Sequence, residues 1–114
     1  WLEAAVVLWG TERVYLDAWS WARARQPLAR GTGEQEDADG GAVKKEFIPN
    51  WTSPEFAAFV DRLRRTLDRA VSQALAAVDP AERRAVQAGI MERTAGTWSA
   101  LLAAEAAFWP QLDG

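Results

Sequence analysis

Cysteine and histidine are both absent from the 114 residues, and the chain has a single methionine and a single tyrosine, Tyr15. Without cysteine there are no disulfides, thiolate nucleophiles or cysteine-ligated metals. Without histidine there is no axial haem ligand, no Ser-His relay and no two-histidine zinc site. Catalysis would therefore have to run on carboxylates, hydroxyls, Lys or Arg, with carboxylates the best candidates. No apolar run approaches the ~20 residues that cross a bilayer, and no charged segment with a cleavage site precedes the first helical pattern, so a cytoplasmic protein without membrane attachment is expected. A formal charge of −3 offers phosphate backbones no general attraction. Arg62, Arg64, Arg65 and Arg69 alternate with Asp61 and Asp68 and read as a solvated helix face, so no nucleic-acid partner is expected.

What is present is a composition 49% hydrophobic and 25% charged, enough for one modest core. The sequence opens Trp1-Leu2-Glu3-Ala4-Ala5-Val6-Val7 with neither methionine nor capping residue, and the expectation is one helical domain, or the C-terminal part of one, spanning residues 1–114. Seven tryptophans in so short a chain imply surface that meets other helices, from further sequence or from a partner subunit.

Apolar residues Ala5, Leu8, Trp9, Tyr15, Leu16 and Trp19 recur at spacings near three and four, predicting a helix over 2–25 that stops before Pro27. Residues 26–52 read as a connection. Within it, residues 28–46 hold four glycines, an acidic run and Lys44-Lys45, and read as a surface loop, disordered rather than a closing lid. Thr52-Ser53-Pro54-Glu55 then carries a hydroxyl cap, a first-turn proline and an early acid, and the stripe Phe56, Phe59, Val60, Leu63, Leu67, Val71, Ala74 and Val78 predicts a helix over 53–78. Asp79-Pro80-Ala81-Glu82 repeats that start grammar for a helix over 80–109. Its stripe is Val86, Ile90, Trp98, Leu101, Leu102 and Phe108, with a kink or close helix crossing expected near Gly89 and Gly96. The sum is an all-α protein, an antiparallel bundle of three long helices.

Two carboxylates interrupt the apolar stripes. Leu8, Glu12, Tyr15 and Trp19 are spaced four, three and four, and Trp98, Leu101, Glu105 and Phe108 are spaced three, four and three, so both glutamates point where their apolar neighbours point. Burial of an ionised carboxylate is costly unless it is paired, and desolvation moves its pKa towards the range useful for proton transfer. Either glutamate could instead pair with an Arg or a Tyr hydroxyl, or sit at the edge of its stripe. With Tyr15 one turn from Glu12, and Trp19 and Trp109 close in sequence, the pattern suggests a polar spot in an aromatic cavity. Asp17 lies off the stripe, and Trp51 precedes the second long helix.

Three segments together resemble the TenA or thiaminase II family of the haem-oxygenase-like superfamily: Leu8-Trp9-Gly10-Thr11-Glu12-Arg13-Val14-Tyr15, Asn50-Trp51-Thr52-Ser53-Pro54-Glu55-Phe56 and Glu105-Ala106-Ala107-Phe108-Trp109. In this order they are similar to the last half of that family's helical domain. The resemblance implies hydrolytic removal of the exocyclic amine, or formylamine, from an aminomethylpyrimidine, with no cofactor; no metal is expected, and the tryptophan-rich surface points to a homo-oligomer of two or four subunits. The commoner branch uses a cysteine nucleophile, so the likeness is to the branch with a glutamate there. It implies catalytic roles for Glu12, Tyr15 and Glu105, the last shuttling the proton, and substrate-binding roles for Trp19, Trp51 and Trp109. The family's early helices add an Asp and aromatic residues to the pocket, and no segment here matches them. The competing expectation is a non-catalytic module derived from the same fold that self-associates or binds a small ligand.

Overall fold

The computed structural model describes residues 1–26 and 37–110. The elements are α1 (Leu2–Ala24), a π-helical turn (Val43–Phe47), α2 (Ile48–Trp51), α3 (Pro54–Ala76) and α4 (Arg83–Phe108). The protein is all-α, with no strand among the described residues. No helix there is long and apolar enough to cross a membrane. The chain divides into two compact units, Trp1–Thr11 with Arg62–Gly114, and Glu12–Asp61.

In the first unit, Leu2 and Val6 are each 1% exposed and Gly10 is buried, so every fourth residue at the start of α1 faces inward. This corrects the expected stripe, because Leu8 is 53% exposed. α4 explains the register. Trp9 stacks on Trp98 with ring centroids 5.5 Å apart. At Gly10, a Cβ would overlap Leu101 Cδ2 and come within 2.9 Å of Trp98 Cζ3. Without a side chain there, Leu101 and Trp98 occupy the space beside the α1 backbone. The close approach expected near Gly89 and Gly96 is thus found at Gly10, since a Cβ at either α4 glycine would meet nothing within 4 Å among the described residues. Glu3 pairs with Arg93, and further along Gly10 meets Leu101, so α1 and α4 run in the same direction where they touch.

α3 leads into α4 through residues 77–82. The Asp79 carboxylate accepts the Ala81 N–H at 2.9 Å, and its carbonyl accepts the N–H groups of Glu82 and Arg83. Regular α-helix then begins at Arg83, three residues after Pro80, because residues 80–82 complete the capping turn first. The Arg83 guanidinium donates to the carbonyls of Leu75 and Val78 at 3.2 and 3.4 Å, satisfying acceptors left open at the end of α3.

Glu3 accepts two hydrogen bonds from Arg93, at 2.5 and 2.7 Å. The Arg93 hydrogen bond, together with the charge beside it, holds the Glu3 carboxyl at about 2, against an ordinary 4.5. The folded-state value lies below the unfolded one, so this pair adds stability above about pH 4.5 and loses it as pH falls towards 2. In urea titrations, the advantage of the natural chain over Glu3→Gln should be full at pH 6 and shrink steadily below pH 4.5; a difference that stays constant with pH would refute the linkage.

In the second unit, Ser53 Oγ accepts the Phe56 N–H at 3.1 Å and Pro54 opens α3, as the cap sequence requires. The connection read over 26–52 departs from a plain loop in its second half; residues 27–36 lie outside the described residues. Gly40 and Gly41 have φ of +66° and +84°, a backbone turn that side chains resist. Asp39 then accepts the N–H groups of Gly41 and Val43 at 2.9 and 2.8 Å. From Val43 the chain is helical to Trp51. Composition concealed this, since Lys44, Lys45 and Glu46 dominate the stretch, yet Val43, Phe47 and Trp51 recur every four residues. Ile48 and Val60 are the buried residues of this unit's core, at 4% and 2% exposure. The Thr52 hydroxyl donates to the Ile48 carbonyl at 2.6 Å and accepts from Arg23 at 3.3 Å, tying the end of α1 to the end of α2.

Candidate functional site

On α1, Glu12, Tyr15 and Trp19 stand three and four residues apart and so share one face. The segment from the π-helical turn through α2 presents Val43, Phe47 and Trp51 to that face. The six side chains line an open cavity of about 440 Å³. The rings meet in pairs across it, Tyr15 with Trp51 at 5.7 Å and Trp19 with Phe47 at 6.0 Å, both tilted. Trp51 is braced from behind by Phe56, edge-on at 5.0 Å, and Phe56 in turn rests on Phe59. That aromatic chain carries the order of the α3 N-terminus to the cavity wall. A π-helical turn, with its wider i→i+5 bonding, is rare and is frequently found at functional sites; here the Ile48 N–H donates to Val43 O across it.

Among the described residues Glu12 is the cavity's only carboxylate. It is half-buried, as its stripe position demands. Among the described residues it has no ion-pair or hydrogen-bond partner. Its neighbour Arg13 turns the other way and binds Asp17 at 3.1 Å on the exposed side of α1, which accounts for Asp17 standing outside the site.

Four of the six residues singled out in the sequence are therefore together: Glu12, Tyr15, Trp19 and Trp51. Glu105 and Trp109 belong to the first unit and are bonded to one another. The Trp109 indole N–H donates to Glu105 Oε2 at 3.1 Å, while the Trp109 backbone N–H donates to the Glu105 carbonyl, so this carboxylate closes the last turn of α4. Phe108 packs edge-on against Trp109 at 5.8 Å and is 68% exposed, not part of a buried stripe. Glu105 is half-buried and indole-bonded, the pairing alternative that its spacing left open. Val43 and Phe47 were not singled out as site residues. The four-residue spacing that runs through them to Trp51 was the available signal, masked by the charged residues between.

The first unit holds a larger groove, about 550 Å³, between α1, α3 and α4, walled mainly by Leu2, Val6, Leu67, Val71, Ile90 and Trp98. Among the described residues its one carboxylate, Asp68, is held by Arg64 at 2.9 Å. Ser72 and Thr94 are also part of the groove's wall, so both spaces join polar groups to an apolar lining, and the Glu12 cavity is set apart by gathering four of the residues that the sequence marks. Among the described residues no cluster of acidic side chains is placed to hold a metal ion.

No family model, no curated protein and no solved structure matches the chain. The class that fold and site define is an all-α protein with an aromatic, carboxylate-bearing cavity.

Proposed function

We propose that the chain is part of a cytoplasmic thiamin-salvage hydrolase of the thiaminase II kind, removing the amine or formylamine from an aminomethylpyrimidine in the Glu12 cavity. The observation that carries this reading is the convergence of Glu12, Tyr15, Trp19 and Trp51 on one cavity, four residues for which the resemblance implies catalytic or substrate-binding roles. Aromatic walls suit a flat heterocycle, which can stack on rings at little directional cost. A carboxylate beside them can move a proton.

In the proposed reaction the bond between the exocyclic carbon and nitrogen breaks and a carbon–oxygen bond to water forms. Glu12 gives a proton to the departing nitrogen and takes one from the attacking water, leaving ammonia, or formamide from the formylated substrate, and the hydroxymethyl pyrimidine. Tyr15 lies one turn along the same helix face, where its hydroxyl can orient the amine. Glu105 enters through the resemblance alone, as the proton shuttle, with Trp109 as a substrate-binding ring. The test is ammonia release from aminomethylpyrimidine by the full-length protein. Steady release that saturates with substrate is the expected result, and none above the buffer rate would sink the reading.

A homo-oligomer is part of the proposal. In the first unit Trp1, Leu8, Met91 and Phe108 are each more than half exposed, large apolar side chains that a partner subunit could cover. Light scattering of the purified protein should return the mass of a dimer or tetramer; a monomer at every concentration would count against it. The same faces favour the second reading, a non-catalytic module that self-associates, which would be oligomeric but release no ammonia.

A further inference from the structure

We infer that the Glu12 cavity is a binding site for methylated ammonium ions, a property that goes beyond amine hydrolysis and stands without it. Four aromatic rings, Tyr15, Trp19, Phe47 and Trp51, line one small space around a single carboxylate. Ring faces carry the negative end of the aromatic quadrupole and attract cations, and boxes of such rings are how proteins hold quaternary ammonium groups. Glu12 supplies the counter-charge, and among the described residues no cationic side chain lines the cavity to compete for it. The nearest cation in sequence, Arg13, is engaged with Asp17 on the exposed side of α1.

The same lining accommodates more than one kind of cation. A primary ammonium brings three N–H donors that must exchange water for protein acceptors. Among the described residues the side-chain acceptors here are the Glu12 carboxylate and the Tyr15 hydroxyl, since indole groups only donate and Val43 and Phe47 do neither. The two carboxylate oxygens and the hydroxyl can take those donors, so a primary amine such as that of the proposed substrate is admitted as well. A trimethylammonium group has no donors to satisfy. Its charge is spread over methyl groups that fit against rings, and the space of about 440 Å³ is within the range of small-molecule sites.

The test is titration of the full-length protein, followed by calorimetry and tryptophan fluorescence, with choline and with its uncharged carbon isostere 3,3-dimethylbutan-1-ol. Choline should bind saturably and at least about tenfold more tightly than the isostere, because shape is equal and only charge differs. Glu12→Gln should weaken choline by about tenfold while leaving the isostere unchanged. Phe47→Leu alters an exposed ring and should weaken choline several-fold with helical content intact by circular dichroism. Equal affinity for choline and the isostere, or choline binding that is unaffected by Glu12→Gln, would overturn the inference, as would no saturable binding at millimolar concentrations. Ammonia release is read separately. Choline binding without ammonia release upholds the cation site and sinks the hydrolase, and ammonia release without choline binding does the reverse.

Discussion

Glu12→Gln is expected to lower kcat for ammonia release from aminomethylpyrimidine by two to four orders of magnitude, the usual worth of a positioned acid and base, roughly 10²–10⁴. The substitution keeps the shape of the side chain and its half-buried place on α1, so melting temperature should hardly move. Because Glu12 would act on protons that are in flight only in the transition state, kcat and kcat/KM should fall together with KM nearly constant. A loss confined to KM would instead make Glu12 a binding group. Glu105→Gln is also expected to abolish activity if Glu105 shuttles the proton as the resemblance implies. An amide at 105 can still accept the Trp109 indole hydrogen bond, so that variant tests the reaction without dismantling the end of α4. Unaltered turnover in Glu105→Gln would confine this residue to closing the helix.

Gly10→Val is expected to destabilise the protein by about 2 kcal/mol, within the ~1–3 kcal/mol that overpacking a filled site costs. Its first added atom would lie where Leu101 Cδ2 and the Trp98 ring already sit. Leu101 is buried and Trp98 is stacked on Trp9, so neither can swing away without giving up its own packing. Helix propensity acts the other way, since valine is better than glycine in a helix by a few tenths of a kcal/mol, and it is the smaller effect. Gly89→Ala and Gly96→Ala provide the contrast. Both sit in α4 with open space beside them and should each stabilise by about 0.5–1 kcal/mol. Urea denaturation of the three variants decides the matter. A Gly10→Val protein as stable as the natural chain would mean that α1 and α4 do not approach as closely there as described.

Several elements were legible before any coordinates. The helices that became α1, α3 and α4 follow from apolar periodicity and from capping signs such as Ser53-Pro54, because hydrogen bonds within a helix are local and its buried face must repeat with the turn. Glu12, Tyr15 and Trp19 could be placed on one face for the same reason. Local spacing failed at Leu8, where it marked a residue as inward that lies outward, since one helix carrying apolar residues on several sides does not reveal which side another helix will cover. The helical run from Val43 was missed because the capping by Asp39 and the two positive-φ glycines depend on a turn that charge-rich composition disguises.

By itself, then, the sequence determined the helical class, the lack of thiol and imidazole groups in these 114 residues, and the pairing of a carboxylate with aromatic residues along α1, all consequences of residue type and helical period. Only the tertiary structure decided that Trp51 and the unexpected Phe47 line an open cavity with Glu12, that Glu105 is taken up by Trp109, and that α1 packs closely against α4 at Gly10. Those outcomes depend on which residues far apart in the chain come within a few ångströms of each other. That is set by how whole helix faces fit together, and no local pattern encodes it.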